Sequence, residues 1–144
     1  MYALLYRSRA QPGLLASDLN DIIETARTRN RQLDVTGLLL HGRMEALPGV
    51  AGEFVQWIEG PEEAVTSLFA SIQEDPRHTE VEVLARGSSA SLCGSAPATP
   101  VDTDGRLFPS WSMGLVRLSE LPATLSGFLR FVGTWDGDLT AAAA

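Results

Sequence analysis

Apolar residues in this chain recur every second position in some stretches and every three to four in others, and the order of those switches leaves few folds open. In residues 2–8 (YALLYRS), Tyr2, Leu4, Tyr6 and Ser8 share one strand face, with Ala3, Leu5 and Arg7 on the other. Gln11-Pro12-Gly13 ends that strand. Ser17 can serve as an N-cap, and Leu19, Ile22, Ile23 and Ala26 follow at helical spacing, which predicts a helix over 17–30. Residues 34–41 (DVTGLLLH) read as a second strand. Residues 53–59 (EFVQWIE) read as a third, with Phe54, Gln56 and Ile58 alternating against Val55 and Trp57. Gly60-Pro61 opens a helix with Pro at its first position, and Val65, Leu68, Phe69 and Ile72 form its buried stripe. Residues 80–85 and 111–116 are the fourth and fifth strands. A last helix is expected from Ser119 to about Val132, interrupted early by Pro122, with a frayed Ala-rich end.

The order β-α-β-β-α-β, followed by an extra strand and a C-terminal helix, predicts an α+β, ferredoxin-like split βαβ arrangement with helices over one face of a mixed sheet. Residues 1–117 are expected to form the main domain and 118–144 a helical extension. Residues 42–52 and 87–105 stand apart as insertions. The second is rich in Ser, Ala, Pro, Gly and Thr and long for a structureless loop. It reads either as a mobile insertion or as a lid or partner contact.

Charge narrows the partners. The net charge is −7, and all 11 cations are arginine. An acidic surface argues against broad nucleic-acid binding and against an anionic membrane as partner. Apolar runs stay far below the roughly 20 residues of a membrane span, and the N-terminus does not look like a signal peptide, so a cytoplasmic location is expected. Cys93 is alone, which excludes an internal disulfide; it reads as incidental rather than as a nucleophile. Without lysine there is no phosphate loop of the usual kind, and neither HExxH nor GxSxG occurs. His41 and His78 give no metal spacing.

Several polar residues stay ambiguous when read singly. Gln56 sits mid-strand among apolar neighbours, either facing solvent from an edge strand or buried with partners it must find. Tyr6 is either core, with its hydroxyl reaching a polar group, or part of a site. Asn30 can be a helix C-cap. Asp75-Pro76-Arg77-His78 follows the second helix as a stop signal or as a docking point for an anion. Trp111 and Met113 share a strand face, most simply as core.

Taken in order, these residues resemble the BLUF family of blue-light sensors that use FAD. The resemblance runs from Tyr2 to about Leu115. Its pieces are LLYRS, DLNDIIETARTRN ending in Asn30, DVTGLLL, FVQWIEGP, AVTSLFASIQEDPRH and FPSWSMG. It implies a flavin ring held between the two helices. Tyr6 would donate an electron and a proton to the excited flavin. Gln56 would sit between Tyr6 and the flavin and rearrange its hydrogen bonds. Asn30 would hold the pyrimidine edge, Ser8 would lie near Tyr6 and Trp111, and Ile72 would pack on the ring. Arg77 and His78 would bind the ribityl or phosphate portion, with Asp75 supporting that turn. Trp111 and Met113 would relay the change through the fifth strand to a protein partner.

Departures from the family's pattern accompany the resemblance. Arg29 stands where the family often has His or Asn touching the flavin, and Trp57 where a small aliphatic residue is usual. Trp57 is either an extra electron donor or, as the alternation favours, a residue of the opposite face. The expected protein is a short, stand-alone photoreceptor and not an enzyme, since the stretch after Met113 leaves no room for a catalytic output domain. The alternative is an interaction module of this fold that has lost light sensing or flavin binding. Leu121, Leu125, Phe128, Leu129 and Val132 form an apolar stripe that either folds back on the sheet or pairs with another copy, so a homo-oligomer is expected.

Overall fold

The computed structural model describes residues 1–10, 16–43, 52–76, 78–94 and 101–134. The predicted Gln11-Pro12-Gly13 turn, the cap at Ser17 and the side chain of Leu19, most of the 42–52 insertion, Arg77 and the Ala-rich tail lie outside the described residues.

The strands are β1 (Tyr2–Ala10), β2 (Thr36–Arg43), β3 (Glu53–Gly60), β4 (His78–Ser88) and β5 (Trp111–Arg117). The helices are α1 (Ala16–Gln32), α2 (Glu62–Glu74), the short α3 (Ser89–Cys93) and α4 (Leu125–Thr134). One sheet has the order β4-β1-β3-β2-β5. All its pairings are antiparallel except β2 with β5. This is the predicted split βαβ arrangement with the fifth strand added beside β2.

The sheet order places β3 between β1 and β2, which decides the Gln56 question: its strand is central, and a solvent-facing edge position is ruled out. On one face α2 packs Val65, Leu68, Phe69 and Ile72 against Leu4, Tyr6 and Ile58. On the same face Ile22 of α1 packs with Leu39, Phe54 and Met113.

Helices cover both faces, not one. Phe128 and Leu129 of α4 are buried against Leu5, Leu38, Leu40, Val55 and Trp57 on the opposite side of the sheet. The C-terminal stripe therefore folds back on its own sheet. Its helix begins at Leu125, later than the expected Ser119. Pro122 lacks an N–H and pushes Leu121 to an extended backbone (φ −69°, ψ 123°), so Leu118–Glu120 forms only a single 3-10 turn. Thr124 then starts α4, its Oγ1 accepting from Gly127 N at 3.0 Å.

Two other boundaries moved for local reasons. Pro61 is the N-cap of α2 rather than its first residue, because its ψ of 138° is extended. Within the 87–105 segment, Gly87 (φ 152°) and Ser88 extend β4, and Ser88 Oγ accepts from Ser91 N at 3.1 Å, capping α3. Ser89 and Cys93 are buried there, so that end of the segment is core, not a loose loop. Burial, then the charge of Glu59, pushes the Cys93 thiol up to about 11, which suits packing and not attack.

Candidate functional site

The face covered by α1 and α2 carries a row of four residues in register across the sheet: Tyr6 on β1, Gln56 on β3, Leu39 on β2 and Met113 on β5. Alternation alone puts each on this face, and the register aligns them. Tyr6 is 1% exposed and donates its hydroxyl to Gln56 Oε1 at 2.5 Å. Phe69 of α2 leans on the phenol, ring centres 5.5 Å apart. Burial raises the Tyr6 pKa well above the ordinary phenol range; the Asp75 charge adds to this and the Arg29 charge opposes it. Tyr6 therefore holds its proton, and that proton points at an amide oxygen.

Above the pair lies a cleft between α1 and α2. Its apolar walls are Ile22, Ala26, Leu39, Leu68 and Ile72, and Gln56, Asn30, Arg29 and Asp75 bring polar groups to it. Asn30 is buried; with its amide assigned by the hydrogen-bond network, Oδ1 accepts from Trp111 Nε1 at 2.9 Å and Nδ2 donates to the Ala26 carbonyl at 3.2 Å. Arg29 has a buried Nε with no partner. Asp75 caps the C-terminus of α2, its N–H donating to the Ile72 carbonyl.

The cleft thus brings together Tyr6, Gln56, Arg29, Asn30, Ile72 and Asp75. Met113 joins them through the register, and Trp111 through Asn30. Ser8 is buried two residues along from Tyr6, but it does not sit beside Trp111. In the register Trp111 aligns with Leu4, four residues from Ser8 and three strands away, about 13 Å along and 14 Å across. Arg77 lies outside the described residues. His78 opens β4 opposite Ala10, and its side chain lies outside them as well. Trp57 is fully buried on the opposite face, where its ring stacks on Phe128.

The burial of three polar residues escaped the sequence reading. His41 is 2% exposed, stacked on Phe54, with neither ring nitrogen partnered. Glu59 is fully buried and accepts from Ser89 Oγ, Leu107 N and Phe108 N. Arg106 is buried and reaches Thr36 Oγ1, the Glu59 carbonyl and Asp34. Strand alternation could have flagged Glu59, which shares a face with Val55 and Trp57. The partners of Arg106 lie about 47–72 residues away in sequence and leave no local signal.

The chemistry of the site fits a flat heteroaromatic ring. Apolar walls suit its faces, the Gln56 and Asn30 amides suit carbonyl and ring-nitrogen edges, and the unpartnered Arg29 Nε suits an acceptor.

Comparison with known proteins agrees. The family model described as sensors of blue-light using FAD matches residues 1–92. A segment of photoactivated adenylate cyclase subunit beta from Euglena gracilis is 45% identical over 78 residues, covering 54% of this chain and 8% of that protein. The blue light- and temperature-regulated antirepressor BluF of Escherichia coli is 35% identical over 95 residues, covering 66% of this chain and 20% of its own length. Both relatives are much longer than the matched segment. Among solved structures, the dark state of BlrB, described as a BLUF protein, superposes with a TM-score of 0.62 at 32% identity, covering 92% of this chain and 94% of that one. The chain belongs to the BLUF family, sensors of blue light that use FAD.

Proposed function

We propose that this chain is a photoreceptor in which Tyr6 and Gln56 form the switch and the fifth strand and C-terminal helix carry its output to a protein partner. The observation that supports this most is the hydrogen bond between Tyr6 and Gln56, buried on the wall of a cleft between two helices. Asn30 and Gln56 hold the ring edges, Ile72 packs on the ring, and Arg29 faces it. Arg77 and His78 hold the ribityl or phosphate portion, and Asp75 supports their turn.

Flavin bound here would supply, on absorbing blue light, the one-electron oxidant. Tyr6 supplies the electron. A phenol that has lost an electron is a strong acid, and Gln56 Oε1 is the acceptor already in contact with its proton. With the proton on Oε1 that hydrogen bond is reversed, the amide donating and the Tyr6 oxygen accepting, and from this form the Gln56 side chain can rearrange. Electron and proton return to Tyr6, so no substrate is converted. Gln56 is left in a second hydrogen-bond pattern, because an amide can present either a donor or an acceptor end. Two buried patterns of similar energy make a bistable element.

Leu39 and Met113 lie in the same row as Gln56, so the change has a packed route to β5. Trp111 on β5 also answers to Asn30 in the cleft.

The test is the absorption spectrum of FAD-loaded protein in the dark and under blue light. A reversible red shift of the flavin band is expected. Gln56→Leu and Tyr6→Phe should each abolish it while FAD stays bound. A normal shift in either variant would overturn the role given to that residue.

A further inference from the structure

Trp57 follows Gln56 on β3, so the two side chains leave adjacent backbone positions toward opposite faces of the sheet. The Trp57 ring is fully buried and lies parallel to Phe128 of α4, centres 5.7 Å apart at 4°. Phe108 meets both rings edge-on, at 6.5 Å from Trp57 and 6.3 Å from Phe128. Phe108 is held in turn by β3, its N–H donating to Glu59 Oε1 at 2.5 Å, and it stands three residues before β5 begins. The three rings therefore join the strand that carries Gln56, the approach to β5 and the C-terminal helix.

The Trp57 Nε1–H has no partner. A buried donor left unpaired is rare and unfavourable, and Phe or Leu would fill an apolar slot without that penalty. The unpaired N–H has a mechanical consequence. No directional bond pins the indole, so packing alone sets its position, and sliding along Phe128 breaks no hydrogen bond. Close-packed interiors answer a small displacement by switching between packings rather than by stretching.

From this geometry, and resting on the photoreceptor reading above, we infer that Trp57 is a positioning residue that transmits the Gln56 rearrangement through the sheet to α4. Its contact with Phe128 is a second output route beside β5. Rearrangement of Gln56 twists β3 at its own Cα, the adjacent Trp57 ring moves in the opposite sense, and α4 shifts with the ring stacked on it.

Hydrogen exchange of the α4 amides, measured on the full chain loaded with FAD in the dark and under blue light, tests this. The wild-type protein should show the flavin red shift together with a change in α4 exchange. Trp57→Leu should keep the red shift and lose the α4 response, and Trp57→Phe, which keeps a stacked ring, should retain both. Phe128→Leu breaks the same contact from the helix side and should act as Trp57→Leu does; it decides the matter if Trp57→Leu does not fold. An α4 response of wild-type size in the Leu variants overturns the route. A wild-type red shift with no α4 response also overturns it, together with the output role given to the C-terminal helix, while leaving the Tyr6–Gln56 switch intact. A wild type with no red shift removes that reading and this one with it.

Discussion

Burial decides the protonation of two side chains on the cleft face, in opposite senses. Tyr6 is kept a neutral phenol, the form that can give up an electron and a proton together. His41 is kept a neutral imidazole: burial, then the Arg43 charge, lowers its pKa from 6.5 to about 4. As pH falls below 6.5 the unfolded chain takes up a proton at His41 that the folded chain refuses until about pH 4. The stability associated with His41 is therefore present above pH 6.5 and lost between there and about pH 4. The loss is on the order of 3 kcal/mol. His41→Phe, which can keep the stack on Phe54, should flatten that part of the stability profile, read by urea unfolding at pH 7 and pH 4.5. An unchanged acid slope in the variant would show that other groups cause it. The identity of Tyr6, Gln56 and Asn30 as odd polar residues was visible in the sequence, because strand alternation and helix spacing are local. Their pairings were not: the Tyr6–Gln56 bond spans 50 residues, and the Asn30–Trp111 bond depends on α1 lying over β5.

Two features between elements fix how β3 meets its neighbours. Gly37 on β2 has φ 155°, and a Cβ there would collide with the Trp57 carbonyl oxygen. Gly37→Ala is expected to destabilise the fold by several kcal/mol, on the order of 3, visible as a fall of the thermal midpoint; wild-type stability would show that the close approach of β2 and β3 can relax. Glu59 anchors α3 and the segment before β5 with its carboxylate. Glu59→Ala leaves three donors unpaired and should cost about 3 kcal/mol, measured by denaturant unfolding, with Glu59→Gln milder because it keeps an acceptor. Equal stability of Glu59→Ala and wild type would mean that the anchor contributes nothing. At this scale the sequence was clearest for β1, β3 and α2, where apolar alternation or a helical stripe is unbroken. It was least clear from Ser88 to Cys93, where Ser, Ala and Gly composition looks like a loop, yet a capped turn and a buried face make a helix. It also placed all helices on one side, because α4 has an apolar stripe but nothing local that names the face it covers.

The described residues form a single sheet with the candidate cleft on one face and a C-terminal helix on the other, and β3 runs through the middle of both. Among the described residues no helix is long and apolar enough to cross a membrane. The centre of the α4 apolar stripe is used within the chain, since Phe128 and Leu129 are 0% and 1% exposed, with Leu121, Leu125 and Val132 half-buried around them. Among the described residues the arginine-only cation set brings Arg29 to the cleft. Everything proposed for signalling depends on Gln56 switching its hydrogen bonds against Tyr6. The difference spectrum between dark and blue-lit protein, recorded for FAD-loaded wild type and Gln56→Leu side by side, tests this most directly. A reversible red shift of the flavin band in wild type and none in Gln56→Leu is the predicted result. The same shift in both proteins, or no shift in a wild type that has FAD bound, would contradict it.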